Sequence, residues 1–153
     1  MRSILIAVGL TAIGALVVAG CGGGGSSSSG SSGGGGDFVA GAEAACTKAN
    51  KRIVALGTPQ QEQVTAYIEE TEAVVETLEK EVVALEPSGA AETAYAEGLA
   101  AAVPVLTKMS NAARNENFDA VRELSAGLVE IKLGELAEAA ELKSCAEVPV
   151  SES

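Results

Sequence analysis

The chain contains no histidine among its 153 residues. This absence excludes a Ser-His-Asp triad, a histidine-bound zinc ion and the Glu-x-x-His di-iron motif of helical bundles. No serine lies in the strand–turn–helix setting of a nucleophile elbow. The thiols of Cys46 and Cys145 have no imidazole to activate them. We therefore expect a protein that is not an enzyme, and we assign it no catalytic residue, no cofactor and no metal ligand.

Aromatic and basic residues are also scarce. The chain has no tryptophan and only four other aromatic residues, so alanine, leucine and valine must fill most of any core. Beyond Arg2 there are 21 acidic and nine basic residues, a net charge of −12. Such a surface repels the phosphates of nucleic acids and anionic lipid headgroups. Solubility is its most ordinary role, and a basic protein or a cation is the partner that the charge would favour.

The sequence has no apolar run of the roughly 20 residues that a membrane-spanning helix needs. The longest candidate extends from Ile4 to Val18 and follows a single positive charge at Arg2. A positive start, a short apolar stretch and small residues after it are typical of an export signal. We therefore predict that residues 1–20 form a signal peptide that is removed.

The end of this stretch, Val18-Ala19-Gly20-Cys21, resembles the lipobox of bacterial lipoproteins, with valine where leucine is commoner. The resemblance implies cleavage before Cys21, a diacylglyceryl group on its sulfur and often a third acyl chain, such as palmitate, on the new amino group. Two chains anchor a protein stably, since each buried CH₂ contributes about 0.8 kcal/mol. The expected location is the extracytoplasmic face of the cell membrane. An uncleaved signal anchor is the alternative.

Residues 22–36 consist only of glycine and serine. None of these side chains can offset the entropy of ordering, so we expect a flexible linker of about 20 Å root-mean-square reach and about 50 Å maximum reach. With the lipidated cysteine, residues 21–36 form the predicted tether. Residues 37–153 form the predicted helical domain, which is long enough to bury a core.

The first half of this domain predicts two amphipathic helices. The first runs from Phe38 to Leu56, with Asp37 as its cap and Gly57 at its end. The second starts with a capping box from Thr58 to Gln61 and ends near Leu85. The residues expected to face the core are Phe38, Ala42, Ala45, Ala49, Ile53 and Leu56 in the first helix, and Val64, Ile68, Thr71, Val75, Leu78, Val82 and Leu85 in the second.

The second half predicts two more helices. The third runs from Ala90 to Arg114 with Pro104 opposite its apolar face, and the fourth begins near Phe118 after a short turn. Their expected core residues are Tyr95, Leu99, Ala102, Leu106, Met109 and Ala113, and then Val121, Leu124, Leu128 and Ile131. Four amphipathic helices with short connections favour an all-α, up-down-up-down four-helix bundle.

An acidic ridge follows one side of the second predicted helix, and Lys48, Lys51 and Arg52 of the first helix would partly neutralise it. A solvated face is the ordinary interpretation. The alternative is a cation or basic-partner site, although Ca²⁺ needs six to eight converging oxygens and a straight ridge diverges. The ridge consists of Glu62, Glu69, Glu72, Glu76 and Glu79.

Glu135 falls in the centre of the apolar stripe of the fourth helix if that stripe is extrapolated. Burying its charge unpaired would cost several kcal/mol, whereas a bend at Gly134 would cost about 1 kcal/mol. We therefore expect a bend that turns Leu133 and Leu136 inward and leaves Glu135 in water. A buried carboxylate with a raised pKa, and hence a site candidate, is the alternative.

With Cys21 carrying lipid, Cys46 and Cys145 remain as an even pair in an oxidising compartment, which predicts a disulfide between them. A straight fourth helix would place Cys145 about 40 Å along the bundle, against about 15 Å for Cys46. The two Cα atoms must approach within about 7 Å. The disulfide therefore predicts a break in the fourth helix between Leu133 and Ser144.

These features predict a membrane-anchored, non-enzymatic binding or structural module of the cell envelope whose partner the sequence does not specify. The domain loosely resembles small uncharacterised helical lipoproteins of actinobacteria, on Cys46 and the ending Leu142-Lys143-Ser144-Cys145, and this resemblance implies no activity. One alternative is a carrier that holds a small apolar ligand in the bundle core near Pro104. Another is weak cation binding by the acidic ridge.

Overall fold

The computed structural model describes residues 35–147, with side chains from Asp37 onwards. The predicted signal peptide, the predicted lipidation site Cys21 and the predicted tether up to residue 34 lie outside the described residues. Residues 35–147 belong to one compact unit, and both described apolar clusters contain only residues of this segment. We therefore expect this segment to fold without the residues that precede it.

The predicted all-α class is confirmed, and no strand occurs between residues 35 and 147. A single 3₁₀ turn, Gln61–Gln63, precedes the second helix. The α-helices are α1 (Gly35–Leu56), α2 (Val64–Val83), α3 (Ala90–Arg114), α4 (Phe118–Glu130), α5 (Leu133–Ala139) and α6 (Lys143–Ala146).

Helix α1 matches the predicted helix with small differences at its start. It begins at Gly35, inside the predicted tether, so Asp37 lies in the first turn rather than at the cap. A carboxylate there still interacts favourably with the helix dipole. Gly57 ends the helix with a φ of +68°, a conformation that favours glycine. The predicted face is buried except for the half-buried Leu56.

The predicted capping box of the second helix is wrong by two residues. The backbone N–H of Gln60 donates to Oε1 of Gln63 at 3.2 Å, and Thr58 lies in the preceding bend. Helix α2 therefore starts at Val64 and ends at Val83, two residues before Leu85. Glu86, which precedes Pro87, then adopts a φ of +54°.

Helix α2 buries a wider face than the predicted stripe. Val74 is 2 % exposed although it was not assigned to the core, whereas the predicted Thr71 and Val75 are half-buried. The reason is that α2 packs against both α1 and α3. Two neighbours cover more of a helix surface than the single seam that the sequence pattern indicates.

Helix α3 has the predicted bounds, and its whole predicted apolar stripe is buried. Pro104 lies on the exposed side, and the helix continues past it. This helix is the centre of the domain because it packs against α2, α4 and α5.

The predicted fourth helix is three helices, so the simple four-helix topology needs correction. It starts at Phe118 as predicted, but α4 stops at Glu130 and Lys132 takes a φ of +56°. Glu141 takes a φ of +60° between α5 and α6. The break was predicted between Leu133 and Ser144. The first break lies at Lys132, just before this interval, and the second, at Glu141, lies inside it.

The breaks let one segment cover two separate parts of the core. One apolar cluster joins α1, α2, α5 and α6 to the first half of α3, and the other joins α2 and α4 to the second half of α3. The predicted inward residues of α4 point towards α3, but none is fully buried, because α4 packs mainly against this one helix. A straight helix could not have reached both clusters.

Candidate binding surfaces and the buried disulfide

Cys46 in α1 and Cys145 in α6 form a disulfide, which supports the predicted pairing. Their Cα atoms are 5.1 Å apart, and both side chains are at most 3 % exposed. The bond closes a loop with a sequence separation of 99 residues. It therefore fastens the end of the described chain to its first helix.

Two polar side chains of α1 hold α6 at the same place. Both carboxylate oxygens of Glu43 accept the backbone N–H of Ser144 at 3.1 Å. Nδ2 of Asn50 donates to the Ser144 carbonyl at 2.6 Å. The α1–α6 contact therefore combines a covalent bond with three hydrogen-bond contacts to one residue.

The hydroxyl of Tyr95 lies against the disulfide, 3.3 Å from Sγ of Cys46. Tyr95 is 1 % exposed, and burial raises the pKa of its hydroxyl, with the nearby Glu43 carboxylate adding to the effect. A buried phenol needs a polar partner for its O–H, and the sulfur is a weak one. Tyr95 thus packs the disulfide into the core as a neutral group.

The acidic ridge is divided among separate partners. Glu69 pairs with Arg114 of α3 at 2.5 Å, Glu76 pairs with Lys80 at 2.7 Å, and Glu72 faces the hydroxyl of Ser110. Glu62 is exposed and Glu79 is half-exposed. Among residues 37–147, no three acidic or cysteine side chains converge to form a metal site. The ridge remains a row of separate carboxylates.

The cations of α1 do not neutralise the ridge as predicted. Lys48 pairs with Glu81, and Arg52 lies 4.0 Å from Glu70, so these cations reach the α1-facing side of α2. Two residues of the ridge, Glu69 and Glu72, face α3, where Arg114 supplies the cation for Glu69. The sequence indicated opposite charges on neighbouring helices but not which sides would meet.

Glu72 accepts a hydrogen bond from the buried hydroxyl of Ser110 at 2.5 Å. This bond lowers the pKa of Glu72, and the nearby Thr107 hydroxyl and the charge of Arg114 act in the same direction, whereas partial burial opposes the shift. A hydrogen bond donated to the ionised form stabilises that form. Glu72 therefore links α2 to α3 as a carboxylate.

Glu135 is exposed, as predicted, and its two carboxylate oxygens lie 3.0 Å from Nζ of Lys132. Leu133 and Leu136 turn inward and approach Gly98 of α3. The predicted cause was a bend at Gly134, whereas the chain turns at Lys132. Glu135 is thus a surface residue, and the buried-carboxylate alternative is wrong.

An open groove of about 660 Å³ runs along the surface between α3 and α4. Glu123 is the one acidic residue among the described residues that line it. The apolar lining residues are Ala101, Val105, Ala120, Leu124, Gly127 and Ile131. The groove lies beside Pro104, near the place where a ligand cavity was predicted, but it is open to solvent on the outside of the domain rather than enclosed in the core.

Comparison with known proteins supplies no family. No protein-family model matches the chain, and no curated protein or solved structure is significantly similar to it. Among residues 35–147, no helix has the length and apolarity that a membrane span requires. Any function must therefore be argued from the disulfide, the charges and the groove themselves.

The sequence did not predict the contacts or the groove positions of several residues on these surfaces. Glu43 and Asn50 carry no sequence signal for their contact with Ser144, because the partners are about 100 positions apart. Ala120 and Gly127 could have been noticed in the sequence as small residues about two helical turns apart on one face of a predicted helix. Nothing in the sequence distinguishes Glu123 as a groove residue, because single exposed carboxylates are common on helices.

Proposed function

We propose that this protein is a membrane-anchored, extracytoplasmic lipoprotein that acts as a non-enzymatic binding or structural module of the cell envelope. The lipobox ending at Cys21 and the Gly/Ser tether after it motivate the anchor. The structural observation that carries the proposal is the buried Cys46–Cys145 disulfide. Structural disulfides persist mainly in oxidising compartments, so this bond favours a domain that works outside the cytoplasm.

The side-chain chemistry favours binding over catalysis. Both cysteines of the described domain are joined in the disulfide, and the whole chain lacks histidine. The surface offers instead an apolar groove and a row of carboxylates. These are features through which one macromolecule contacts another.

The anchor is tested with Cys21→Ala and with Ser26→Ala as a matched control in the tether. We expect the unchanged protein and Ser26→Ala to begin at Cys21, to carry acyl mass on that residue and to sediment with membranes. Cys21→Ala should carry no acyl mass and should retain its leader. A mature protein that begins at Met1 with an unmodified Cys21 thiol would contradict the proposal.

The compartment is tested separately by the state of the other two thiols. Cells are denatured directly in an alkylating reagent, so that every free thiol is modified. Cys46 and Cys145 should remain unmodified unless a reductant is added first. The matched control is residues 32–153 made without a leader, which remain in the cytoplasm and should be alkylated at both cysteines. Two free thiols in the exported protein would contradict an oxidising location.

A further inference from the structure

The groove between α3 and α4 differs in chemistry from the rest of the surface. On α3 the ten residues from 98 to 107 carry no charge, and Ala100, Ala101 and Pro104 within this stretch are exposed. The exposed side of α2, by contrast, is rich in carboxylates. An uncharged apolar strip on a strongly acidic domain is a candidate interaction surface.

The shape of the groove favours an elongated partner. It lies between two helices and is open to solvent, whereas pockets for small molecules enclose most of the ligand surface. Its lining includes an alanine on each side and Gly127 on the α4 side, where an added Cβ atom would meet nothing within 4 Å. Helix-in-groove recognition uses this kind of surface, with apolar side chains of the partner entering a channel between helices.

The charges indicate the kind of partner. Glu123 is exposed at the α4 side of the groove and makes no ion pair with another described residue. A second copy of the domain would bring a further net charge of −12 towards the groove, and an anionic bilayer would also be repelled. A basic partner would be attracted by the domain as a whole and would place a cation against Glu123.

We propose that the α3–α4 groove binds an amphipathic helix of a partner protein, with its apolar side against Leu124, Gly127 and Val105 and a lysine or arginine opposite Glu123. This inference rests on the proposed function for its setting outside the cytoplasm. The binding itself requires only the folded domain, so the groove and the lipid anchor are tested by different measurements.

The test uses residues 32–153 and a synthetic leucine–lysine peptide of about 18 residues, or roughly five helical turns, with one tryptophan. The domain contains no tryptophan, so the peptide fluorescence reports binding without background. A leucine–glutamate peptide of the same apolar pattern is the charge control. We expect saturable, one-to-one binding of the basic peptide and none of the acidic one.

Two pairs of variants locate the site. Gly127→Leu fills the groove, whereas Ala126→Leu adds the same side chain on the exposed surface next to it. Glu123→Lys reverses the charge at the groove, whereas Glu62→Lys makes the same change at an exposed position outside it. We expect Gly127→Leu and Glu123→Lys each to weaken binding by about tenfold or more, with less than about threefold effects in the two controls. Circular dichroism and melting temperature verify that each variant is folded.

Equal binding by Gly127→Leu and Ala126→Leu would overturn the proposal, because the peptide would then be attached to the acidic surface in general. Absence of binding to the unchanged domain would also overturn it. Self-association of the domain that is abolished by Gly127→Leu would overturn the proposal as well, because the groove would then be an interface between two copies. If the unchanged domain bound lipid vesicles but not the peptide, and Gly127→Leu abolished vesicle binding, the groove would be a membrane-binding surface and the proposal would be overturned.

Discussion

Two glycines in helices provide a direct test of how α5 docks on α3. Gly98 is buried in α3, and a Cβ atom built there would lie 2.7 Å from Cδ1 of Leu136 and 3.1 Å from Cδ2 of Leu133. Gly127 lies in α4, where a Cβ atom would meet nothing within 4 Å. The same substitution, glycine to alanine, should therefore have different consequences at the two positions.

The helix propensity gain is similar for both substitutions, about 0.5–1 kcal/mol in favour of alanine. At Gly127 this gain stands alone, so Gly127→Ala should stabilise the domain by about that amount. At Gly98 the new methyl group overlaps two leucine side chains, since carbon atoms normally approach to about 3.5–4.0 Å. Such overpacking costs about 1–3 kcal/mol. Gly98→Ala should therefore be less stable than Gly127→Ala by about 1–3 kcal/mol.

The measurement is guanidinium unfolding of residues 32–153 followed by circular dichroism, with the free energy of unfolding extrapolated to water. A double-mutant cycle with Leu136→Ala tests the cause. Because Leu136→Ala removes the nearest methyl groups, Gly98→Ala should cost much less in that background than in the unchanged protein.

Equal stability of Gly98→Ala and Gly127→Ala would refute this reasoning. So would a cost of Gly98→Ala that is unaltered by Leu136→Ala. Either result would mean that α5 does not pack against Gly98 as closely as the structure shows, and that the break at Lys132 has another cause than docking of α5.

Three further predictions follow from single contacts. Replacing Cys46 and Cys145 together with alanine should lower the free energy of unfolding by up to about 4.7 kcal/mol, from the 99-residue separation, and reduction of the unchanged protein should reproduce most of that loss. Asn117→Ala removes the side-chain oxygen that accepts the N–H of Ala120 at 3.2 Å and should cost about 1 kcal/mol, whereas Asn117→Asp should retain the cap. Ser110→Ala should cost about 1 kcal/mol at pH 7. Because the pKa of Glu72 is lowered in the folded state, that difference should shrink as the pH falls below 4.5, and a constant difference from pH 7 to 3 would contradict the assignment.

Helical periodicity and the number of thiols were sufficient to predict the all-α class, most of α1 and α3, and the disulfide pairing. Helical periodicity fixes which face of a helix is apolar, and the buried faces of α1 and α3 are the predicted ones. The pairing of Cys46 with Cys145 followed from counting thiols. The outward position of Glu135 followed from the cost of burying its charge.

Contacts between helices determine where the fourth predicted helix breaks, which cations meet which carboxylates, and where a groove remains. Lys132 and Glu141 are ordinary residues in the sequence, yet both take left-handed conformations at junctions between helices that have different neighbours. Lys132 separates α4 from α5, which pack against different parts of α3, and Glu141 separates α5 from α6, which packs against α1. The pairing of Arg114 with Glu69 likewise depends on how α2 and α3 are rotated against each other. Local periodicity specifies a face of each helix, whereas the choice of neighbour for that face depends on contacts between residues far apart in the chain.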